Sequence, residues 1–286
     1  MRAVRIVSWN IHQLAECWRE LLGMEGADVA LLQEAKPPPA ELAGRVEVDD
    51  QPWCVAGGSA RRPWRAAVAR LSDRVTFRPR RVAPLCEAEG DVVGVSRPGT
   101  LAVADVGDPE TGEAITVGSL YGSWEGPAGA EPGGWIYADA SVHRLVSDVA
   151  ALIARQRGHR ILVAGDLNIL RGYGENGSPY WAARYGTVFD RMEAMGLRFA
   201  GPELPNGVGP LVRPSELPPD SRTVPTYRTR LDDPATATRQ LDFVFASADL
   251  LPRLRVRALN RPEEWGPSDH CRVVVDVEAS AGAVVP

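Results

Sequence analysis

The stretch RILVAGDLNI, residues 160–169, is an apolar run that stops at polar side chains. Its aliphatic residues predict a buried strand over 160–167. Asp166 and Asn168 come at its end, and because strand side chains alternate with a period of two, both can lie on one face. A buried carboxylate is costly without a partner. The stretch therefore predicts a strand that carries an acid and an amide to a common site.

Similar short apolar runs recur along the chain, whereas helical patterns are few. Helices are predicted over 13–23, 139–157 and 186–196. Because strands and helices do not alternate regularly, two packed sheets with helices outside suit the pattern better than a doubly wound parallel sheet. No linker divides residues 1–286, so we expect a single domain. The other predicted strands are 3–9, 28–34, 64–70, 92–96, 101–106, 114–121, 240–246, 253–259 and 271–277.

Composition limits the classes of function. The 286 residues are 44% hydrophobic, enough for a large core, and carry a formal net charge of −5. An acidic chain has no overall positive field for a phosphate polymer, so a nucleic-acid substrate would be held locally. The first residues, MRAVRIVSWNIHQ, lack the long apolar run of a signal peptide, and no stretch approaches a membrane span. We expect a cytoplasmic monomer without stable membrane association.

Polar side chains recur where the predicted strands end or begin, and four of them are carboxylates. Like charges in a confined space repel one another unless a cation lies among them. Oxygen ligands from Asp, Glu and Asn suit a hard ion, which predicts Mg²⁺ or Mn²⁺ as cofactor. The residues are Asn10, Glu34, Tyr121, Asp166, Asn168, Asp242, Asp269 and His270.

Six motifs in order resemble those of the endonuclease/exonuclease/phosphatase superfamily, which includes abasic-site endonucleases, pancreatic deoxyribonuclease and sphingomyelinases. The resemblance covers residues 8–273, nearly the whole chain. It implies a four-layer α/β sandwich, an α+β fold with two mainly antiparallel sheets, and metal-dependent hydrolysis of a phosphate ester. The motifs are SWNIH (8–12), LLQEA (31–35), GSLYGSW (118–124), VAGDLNI (163–169), QLDFVFAS (240–247) and PSDHCRV (267–273).

The resemblance also implies a role for each motif residue. Asn10 and Glu34 match metal ligands, and Asp269 matches an acid that assists the metal directly or through water. The remaining residues match catalytic groups. These are Asp166 on the attacking water, Asn168 on the scissile phosphate, the pair His270 and Asp242, and Tyr121 against the phosphate.

Other residues are candidates for substrate contact. The loop RGYGENGSPYWAARYG (171–186) follows the GDLN motif, and Arg171, Tyr173, Trp181 and Arg184 are predicted to bind substrate by stacking or by contact with phosphate. The equally weighted alternative is that this segment packs a helix onto the sheet. A second candidate rim, GSWEGPAGAEPGGW (122–135), carries the same ambiguity. The cluster Arg61, Arg62 and Arg65 has two interpretations, a phosphate contact and, as the favoured one, solvated surface charge.

One residue departs from the pattern of the abasic-site endonucleases, which carry an acid two residues after the motif asparagine. Here that position is His12, interpreted as a surface residue. The departure argues against DNA-repair activity in this chain.

The function favoured by the sequence is a phosphodiesterase or nuclease with a metal-activated water, acting on a phosphate ester in a nucleic acid, nucleotide or other compound. The alternatives are a phosphomonoesterase of a small metabolite or lipid head group, and a binding module that kept the fold without the chemistry. Asp166 and His270 are both able to take the proton from water, and the residues leave that choice open.

Overall fold

A computed structural model describes residues 3–57, 60–110, 112–123, 138–153, 158–229 and 232–278. Within these residues the chain forms three α-helices, α1 (Ala15–Gly23), α2 (Ala138–Ala150) and α3 (Pro179–Ala194). The strands in chain order are β1 (Val4–Asn10), β2 (Val29–Ala35), β3 (Glu47–Val48), β4 (Val55–Gly57), β5 (Ala60–Arg62), β6 (Arg65–Arg70), β7 (Thr76–Pro79), β8 (Val82–Pro84), β9 (Val93–Val95), β10 (Leu101–Gly107), β11 (Ala114–Tyr121), β12 (Ile161–Asp166), β13 (Leu197–Gly201), β14 (Asp242–Ser247), β15 (Leu254–Leu259) and β16 (Arg272–Val277).

Two six-stranded sheets contain most of these strands. The first has the order β15-β16-β1-β2-β6-β3, and the second has the order β13-β14-β12-β11-β10-β7. Each sheet is antiparallel except for one central parallel pair, β1 with β2 in the first and β11 with β12 in the second. The carboxyl ends of a parallel pair lie at the same edge of the sheet. The ends of β1, β2, β11 and β12 can therefore contribute residues to one site.

The sheets pack face to face, with helices on both outer faces. Ile6 and Leu31 of the first sheet belong to one buried cluster with Leu162 and Val244 of the second. Helix α1 covers the outer face of the first sheet, while α2 and α3 cover the outer face of the second. These four layers confirm the predicted α+β sandwich. No helix in the described part of the chain is long and apolar enough to cross a membrane.

The predicted helix boundaries differ from the observed ones most clearly at α3, predicted to begin at residue 186 but beginning at Pro179. The start has a physical reason, because the Ser178 side chain accepts a hydrogen bond from Trp181 N and a proline suits the first helical turn. Helix α2 ends at Ala150, short of the predicted residue 157, and residues 154–157 lie outside the described residues.

Arg65 is not at the solvated surface, as its cluster was expected to be, but completely buried. Its guanidinium lies 2.8 Å from a carboxylate oxygen of Asp49, and both side chains are 0% exposed. The guanidinium also lies over the ring of Trp53, 4.1 Å from its centroid. A buried cation is tolerated because a carboxylate, carbonyl oxygens and an aromatic face replace its water.

Gly165 lets β12 approach β11 closely just before Asp166. A Cβ at this position would lie 1.9 Å from the Leu120 carbonyl oxygen. We expect Gly165→Ala to lower the free energy of unfolding by at least about 2 kcal/mol, because a backbone atom has no room to move aside. Urea denaturation measures the change. Gly186→Ala in α3 is the matched control, since nothing lies within 4 Å of its Cβ; a gain of about 0.5–1 kcal/mol is expected there, and equal effects of the two substitutions would contradict the assignment.

Candidate active site

The polar residues at the strand ends meet at one edge shared by the two sheets. Asn10 ends β1, Tyr121 ends β11 and Asp166 ends β12. In the register of the second sheet Asp166 pairs with Tyr121 on one side and with Asp242, the first residue of β14, on the other. Three site residues are therefore placed side by side by strand pairing alone.

Buried side chains join the two sheets beneath this edge. The Gln33 amide of β2 donates to Ser119 Oγ of β11 over 3.0 Å. The Ser119 hydroxyl in turn donates to the Leu32 carbonyl oxygen over 2.6 Å. Both polar side chains are fully buried, so these bonds fix the spacing between the sheets where the site spans it.

The Asp166 carboxylate lies at the centre of the cluster and is 1% exposed. Its Oδ2 atom accepts hydrogen bonds from Asn10 Nδ2 at 2.9 Å and from Asn168 Nδ2 at 3.0 Å. Its Oδ1 atom accepts one from the Asn168 backbone N–H at 2.9 Å. Asn168 also donates to the Gly122 carbonyl oxygen, so its amide N–H groups hold the carboxylate in place.

Glu34 faces the same cluster because β2 is irregular at this point. The register between β2 and β6 shifts between Leu32 and Ala35, which redirects the Glu34 side chain. Its Oε1 atom accepts a hydrogen bond from Tyr121 Oη at 3.1 Å and lies 3.4 Å from Asn10 Nδ2. Asn10 is thus a bridge between two carboxylates, and its own Oδ1 accepts the His12 backbone N–H at 3.0 Å.

His270 lies between two buried carboxylates. Its Nδ1 atom is 2.8 Å from Asp242 Oδ2, and its Nε2 atom is 3.7 Å from Asp166 Oδ2. Its backbone is fixed as well, since Trp9 Nε1 donates to the His270 carbonyl oxygen and the His270 N–H donates to Ser268 Oγ. The imidazole therefore has a set orientation, with Nε2 directed toward Asp166.

Asp269 lies on the other side of the same turn. Its Oδ2 atom is 3.4 Å from His12 Nδ1, which is also 3.8 Å from Glu34 Oε2. Ser268 donates to the Asn10 carbonyl oxygen over 2.6 Å and so ties this turn to the end of β1. His12, interpreted from sequence as a surface residue, is instead half-buried between two acids of the cluster.

Backbone strain is concentrated at this edge. Four residues other than glycine have positive φ here: His12 at 44°, Gln13 at 62°, Glu34 at 48° and Asn168 at 52°. Such conformations cost of the order of 1 kcal/mol each and persist only where surrounding contacts impose them. Their concentration around the carboxylates is typical of a functional site.

Burial and neighbouring charges change the proton affinity of the central groups. Burial raises the pKa of Asp166 to about 7, and the charges of Asp242 and Glu34 act in the same direction against His270 and the Asn10 hydrogen bond. A carboxyl group with this pKa exchanges protons near neutrality, as a general base must. Burial also raises the pKa of Tyr121, reinforced by Glu34, so its hydroxyl remains a donor.

Burial has the opposite effect on the pKa of His270. Burial lowers the pKa of its imidazole, but the charges of Asp242 and Asp166 outweigh that effect and raise the pKa to about 10. The imidazole is therefore a cation at neutral pH. Because this pKa exceeds the ordinary value of 6.5, the contact of the imidazolium with Asp242 stabilises the fold fully below pH 6.5, and this contribution is lost as the pH rises through about 10.

The donor set at this edge fits a hard divalent ion. Glu34 and Asp269 have side chains 17% and 10% exposed, so both carboxylates can reach an ion that keeps part of its water. Within the described ranges, no group of three or more His, Cys, Asp or Glu side chains already has the arrangement of a metal site. Mg²⁺ commonly takes only one or two protein carboxylates, so these two suffice.

The four predicted substrate-binding residues have structural partners of their own. Tyr173 is 6% exposed and lies in the core cluster of the second sheet, and Trp181 packs against that cluster. Arg184 forms an ion pair with buried Asp139 at 2.6 Å, and Arg171 lies over the Phe199 ring at 3.8 Å. These contacts agree with the packing interpretation of the segment. Residues 124–135 of the second rim, including Trp124 and Trp135, lie outside the described residues.

Two aromatic residues that sequence reasoning passed over border the cluster. The ring of Tyr227 lies 5.0 Å from that of His270, and its backbone pairs with both His270 and Arg239. The ring of Trp64 lies edge-on to Tyr121 at 5.2 Å. Tyr227 lies in a loop outside the motifs, and Trp64 is the first residue of the predicted strand 64–70, so the only sequence signal at either position was the aromatic residue itself.

Comparisons with known proteins agree with this fold. Residues 7–270 match the model of the Endonuclease/Exonuclease/phosphatase family. No curated protein sequence matches the chain significantly. Among solved structures, the catalytic domain of Xenopus laevis APE2 is similar with a TM-score of 0.63 at 16% identity, over 97% of this chain and 94% of that one.

Two further structures have similar coverage. The AP endonuclease LMAP from Leishmania major gives a TM-score of 0.61 at 17% identity, over 97% of this chain and 88% of that one. The 3′ phosphatase NExo from Neisseria, bound to a product DNA hairpin, gives 0.54 at 17% identity, over 97% and 100%. At these identities the likeness shows a shared fold.

The charge state of His270 can be tested directly in protein treated with EDTA. We expect one of the four histidines to stay protonated from pH 5.5 to 9 in an NMR titration of the imidazole nitrogens, because two carboxylates hold its proton. Asp242→Asn removes the nearer charge and is expected to lower that pKa by at least about 1 unit, or about 1.4 kcal/mol. Asp190→Asn, on the exposed surface of α3, is the control. A His270 that titrates near 6.5 in the unsubstituted protein would contradict the assignment.

Proposed function

The chain belongs to the endonuclease/exonuclease/phosphatase family of phosphoester hydrolases, and we propose that it is a divalent-metal-dependent phosphodiesterase acting on a nucleic acid or nucleotide. The observation that carries the proposal is the buried Asp166 carboxylate, held by Asn10 and Asn168 and lying 3.7 Å from a protonated His270. The short separation supports a role for Asp166 as base and for His270 as proton donor in one reaction. Hydrolysis of a phosphate ester requires both.

Glu34 and Asp269 are the residues that would hold the ion. A divalent cation bound there supplies positive charge to a non-bridging phosphoryl oxygen. Asn10 was predicted as a third ligand, but its amide donates to Asp166 and to Glu34, and its oxygen accepts the His12 backbone N–H. We assign Asn10 instead as a positioning residue that sets the distance between the metal-binding acid and the base.

Asp166 is the group that takes the proton of the attacking water. Its pKa of about 7, raised by burial and by the charges of Asp242 and Glu34, lets it accept that proton near neutral pH. Asn168 donates to it from both the side chain and the backbone. These bonds orient one lone pair of the carboxylate, and Asn168 acts on the reaction through Asp166.

His270 acts as the cationic donor, with Asp242 behind it. The burial penalty on its imidazole is outweighed by Asp242 and Asp166, so a pKa of about 10 leaves it protonated when Asp166 is ionised. An imidazolium Nε2–H can donate to a phosphoryl oxygen whose charge grows in the transition state. The Tyr121 hydroxyl, which contacts Glu34, is a second donor at the same edge.

The choice of a diester rests on the surroundings of the site and on its structural relatives. Two of the arginines beyond the cluster, Arg239 and Arg184, are paired with carboxylates, Glu175 and Asp139. A ligand with several phosphates would require more unpaired cations at the edge. The similar structures include AP endonucleases, and one is named a 3′ phosphatase bound to DNA, which supports a nucleic-acid substrate and keeps a terminal monoester as the alternative.

Loss of the base or of the cationic donor is the first test. Asp166→Asn and His270→Ala are each expected to lower kcat at least about 10²-fold with Mg²⁺ or Mn²⁺ present, because each removes one partner of the proton transfer. Steady-state kinetics on bis-p-nitrophenyl phosphate measures the loss, and circular dichroism checks the fold. The control Asp190→Asn removes an exposed carboxylate of α3 and is expected to leave kcat unchanged. Full activity in Asp166→Asn would exclude that residue as the base.

A substrate screen with and without EDTA tests the reaction class. We expect turnover of diesters, single-stranded DNA or RNA that EDTA abolishes and Mg²⁺ or Mn²⁺ restores. Hydrolysis of p-nitrophenyl phosphate alone would move the assignment to the phosphomonoesterases. No turnover of any phosphate ester with either ion present would favour the binding module.

A further inference from the structure

His12 projects an imidazole toward Glu34 and Asp269, two largely buried carboxylates of the cluster. Its Nδ1 atom lies 3.4 Å from Asp269 Oδ2 and 3.8 Å from Glu34 Oε2. Its side chain is 32% exposed, more than either acid, so it borders the opening of the cluster. The position is specific, because the same nitrogen approaches both acids that would hold an ion.

The backbone imposes this position at a cost. His12 and Gln13 have φ of 44° and 62°, in the left-handed region that residues other than glycine uncommonly adopt, although histidine is among the types enriched there. Three hydrogen bonds hold the turn there: His12 N–H to Asn10 Oδ1, Gln13 N–H to the Glu34 carbonyl oxygen, and Leu14 N–H to the Ile11 carbonyl oxygen. The strained turn is thus bonded to the residues that form the rest of the site.

The distances distinguish two roles for this imidazole. A charge-assisted hydrogen bond between a cation and a carboxylate is about 2.7–2.9 Å long, and neither contact of Nδ1 is that short. Two donors bound to one ion, each about 2.0–2.2 Å from it, lie about 3–4 Å apart. Both observed separations fall in that range.

We propose that His12 Nδ1 is a ligand of the divalent ion, together with Glu34 and Asp269. The proposal rests on the metal dependence proposed above and adds a nitrogen donor to an oxygen site. The three side chains are not yet a closed set within the described residues. The three side chains must rotate to surround one ion, since the backbone of the His12 turn is already fixed.

The nitrogen donor changes which ion the site prefers. Mg²⁺ strongly favours oxygen ligands, whereas imidazole is a good ligand for transition metals. A site with two carboxylates and one imidazole therefore selects Mn²⁺ over Mg²⁺ more strongly than one made of oxygens alone. His12 is in this sense the residue that determines metal specificity.

The test is spectroscopic and needs no substrate. Mn²⁺ is added to the metal-free protein, and its electron spin-echo spectrum is examined for coupling to a directly bound ¹⁴N nucleus. We expect this coupling in the unsubstituted protein and its loss in His12→Asp, which supplies oxygen donors in place of nitrogen. Calorimetric titration is expected to show that the ratio of Mn²⁺ affinity to Mg²⁺ affinity falls at least about tenfold in that variant.

Two further histidine variants locate the nitrogen. His143→Gln removes an imidazole held by Arg191 and Thr187 on the α2–α3 surface and is expected to keep the coupling. His270→Gln removes the other imidazole of the site and is also expected to keep it. Loss of the coupling in His270→Gln but not in His12→Asp would overturn the proposal.

The outcomes separate this inference from the proposed function. Tight Mn²⁺ binding without nitrogen coupling would overturn the role of His12 and leave a metal-dependent hydrolase intact. Absence of Mn²⁺ and Mg²⁺ binding in every form of the protein, together with turnover that EDTA does not affect, would instead remove the metal from the proposed function.

Discussion

The site depends on the burial of several carboxylates at one edge without the water that normally stabilises their charge. Asp166 is 1% exposed and Asp242 is also 1% exposed, and their strands pair them directly. Such a cluster is stable only if protons, amide donors and cations replace the lost hydration. The His270 imidazolium and the two asparagine amides do this on one side. On the other side, Glu34 and Asp269 remain open toward solvent, where a cation can supply the missing charge.

This constraint also gives the two groups proposed for proton transfer different proton affinities. Asp166 and His270 are both able to take a proton, but their surroundings give them different pKa values. Burial raises the pKa of Asp166, while the neighbouring carboxylates raise the pKa of His270 still further. Near neutral pH one exchanges a proton readily and the other retains its own. The residue types alone could not show which of the two groups is protonated near neutral pH, because that depends on which acid lies nearer to the His270 ring.

The sequence predicted the fold and the meeting of the motif residues because both follow from local patterns. An apolar run that stops at Asp166 or Asn10 marks a strand end, and the strand order then brings those ends together. Features that depend on tertiary contacts were harder to predict from the sequence. The burial of Arg65 requires Asp49 and Trp53 from a separate segment. The position of His12 requires a left-handed turn that is held by hydrogen bonds to Asn10 and Glu34. The early start of α3, in contrast, was visible in Ser178 and Pro179 as an N-cap signal.

The arrangement of the first sheet has a consequence for the biosynthesis of the protein. Strand β1 pairs with β16, so the first and last strands of the sheet are neighbours, and Trp9 contacts the backbone of His270 across 261 positions of the chain. A ribosome delivers the amino end first, and the nascent polypeptide lacks His270 and its turn until translation has passed that codon. Contacts between residues so far apart in the chain slow folding. A polypeptide that has not yet been synthesised as far as this turn therefore lacks the buried pair of Asp242 and His270 and cannot assemble the proposed catalytic groups.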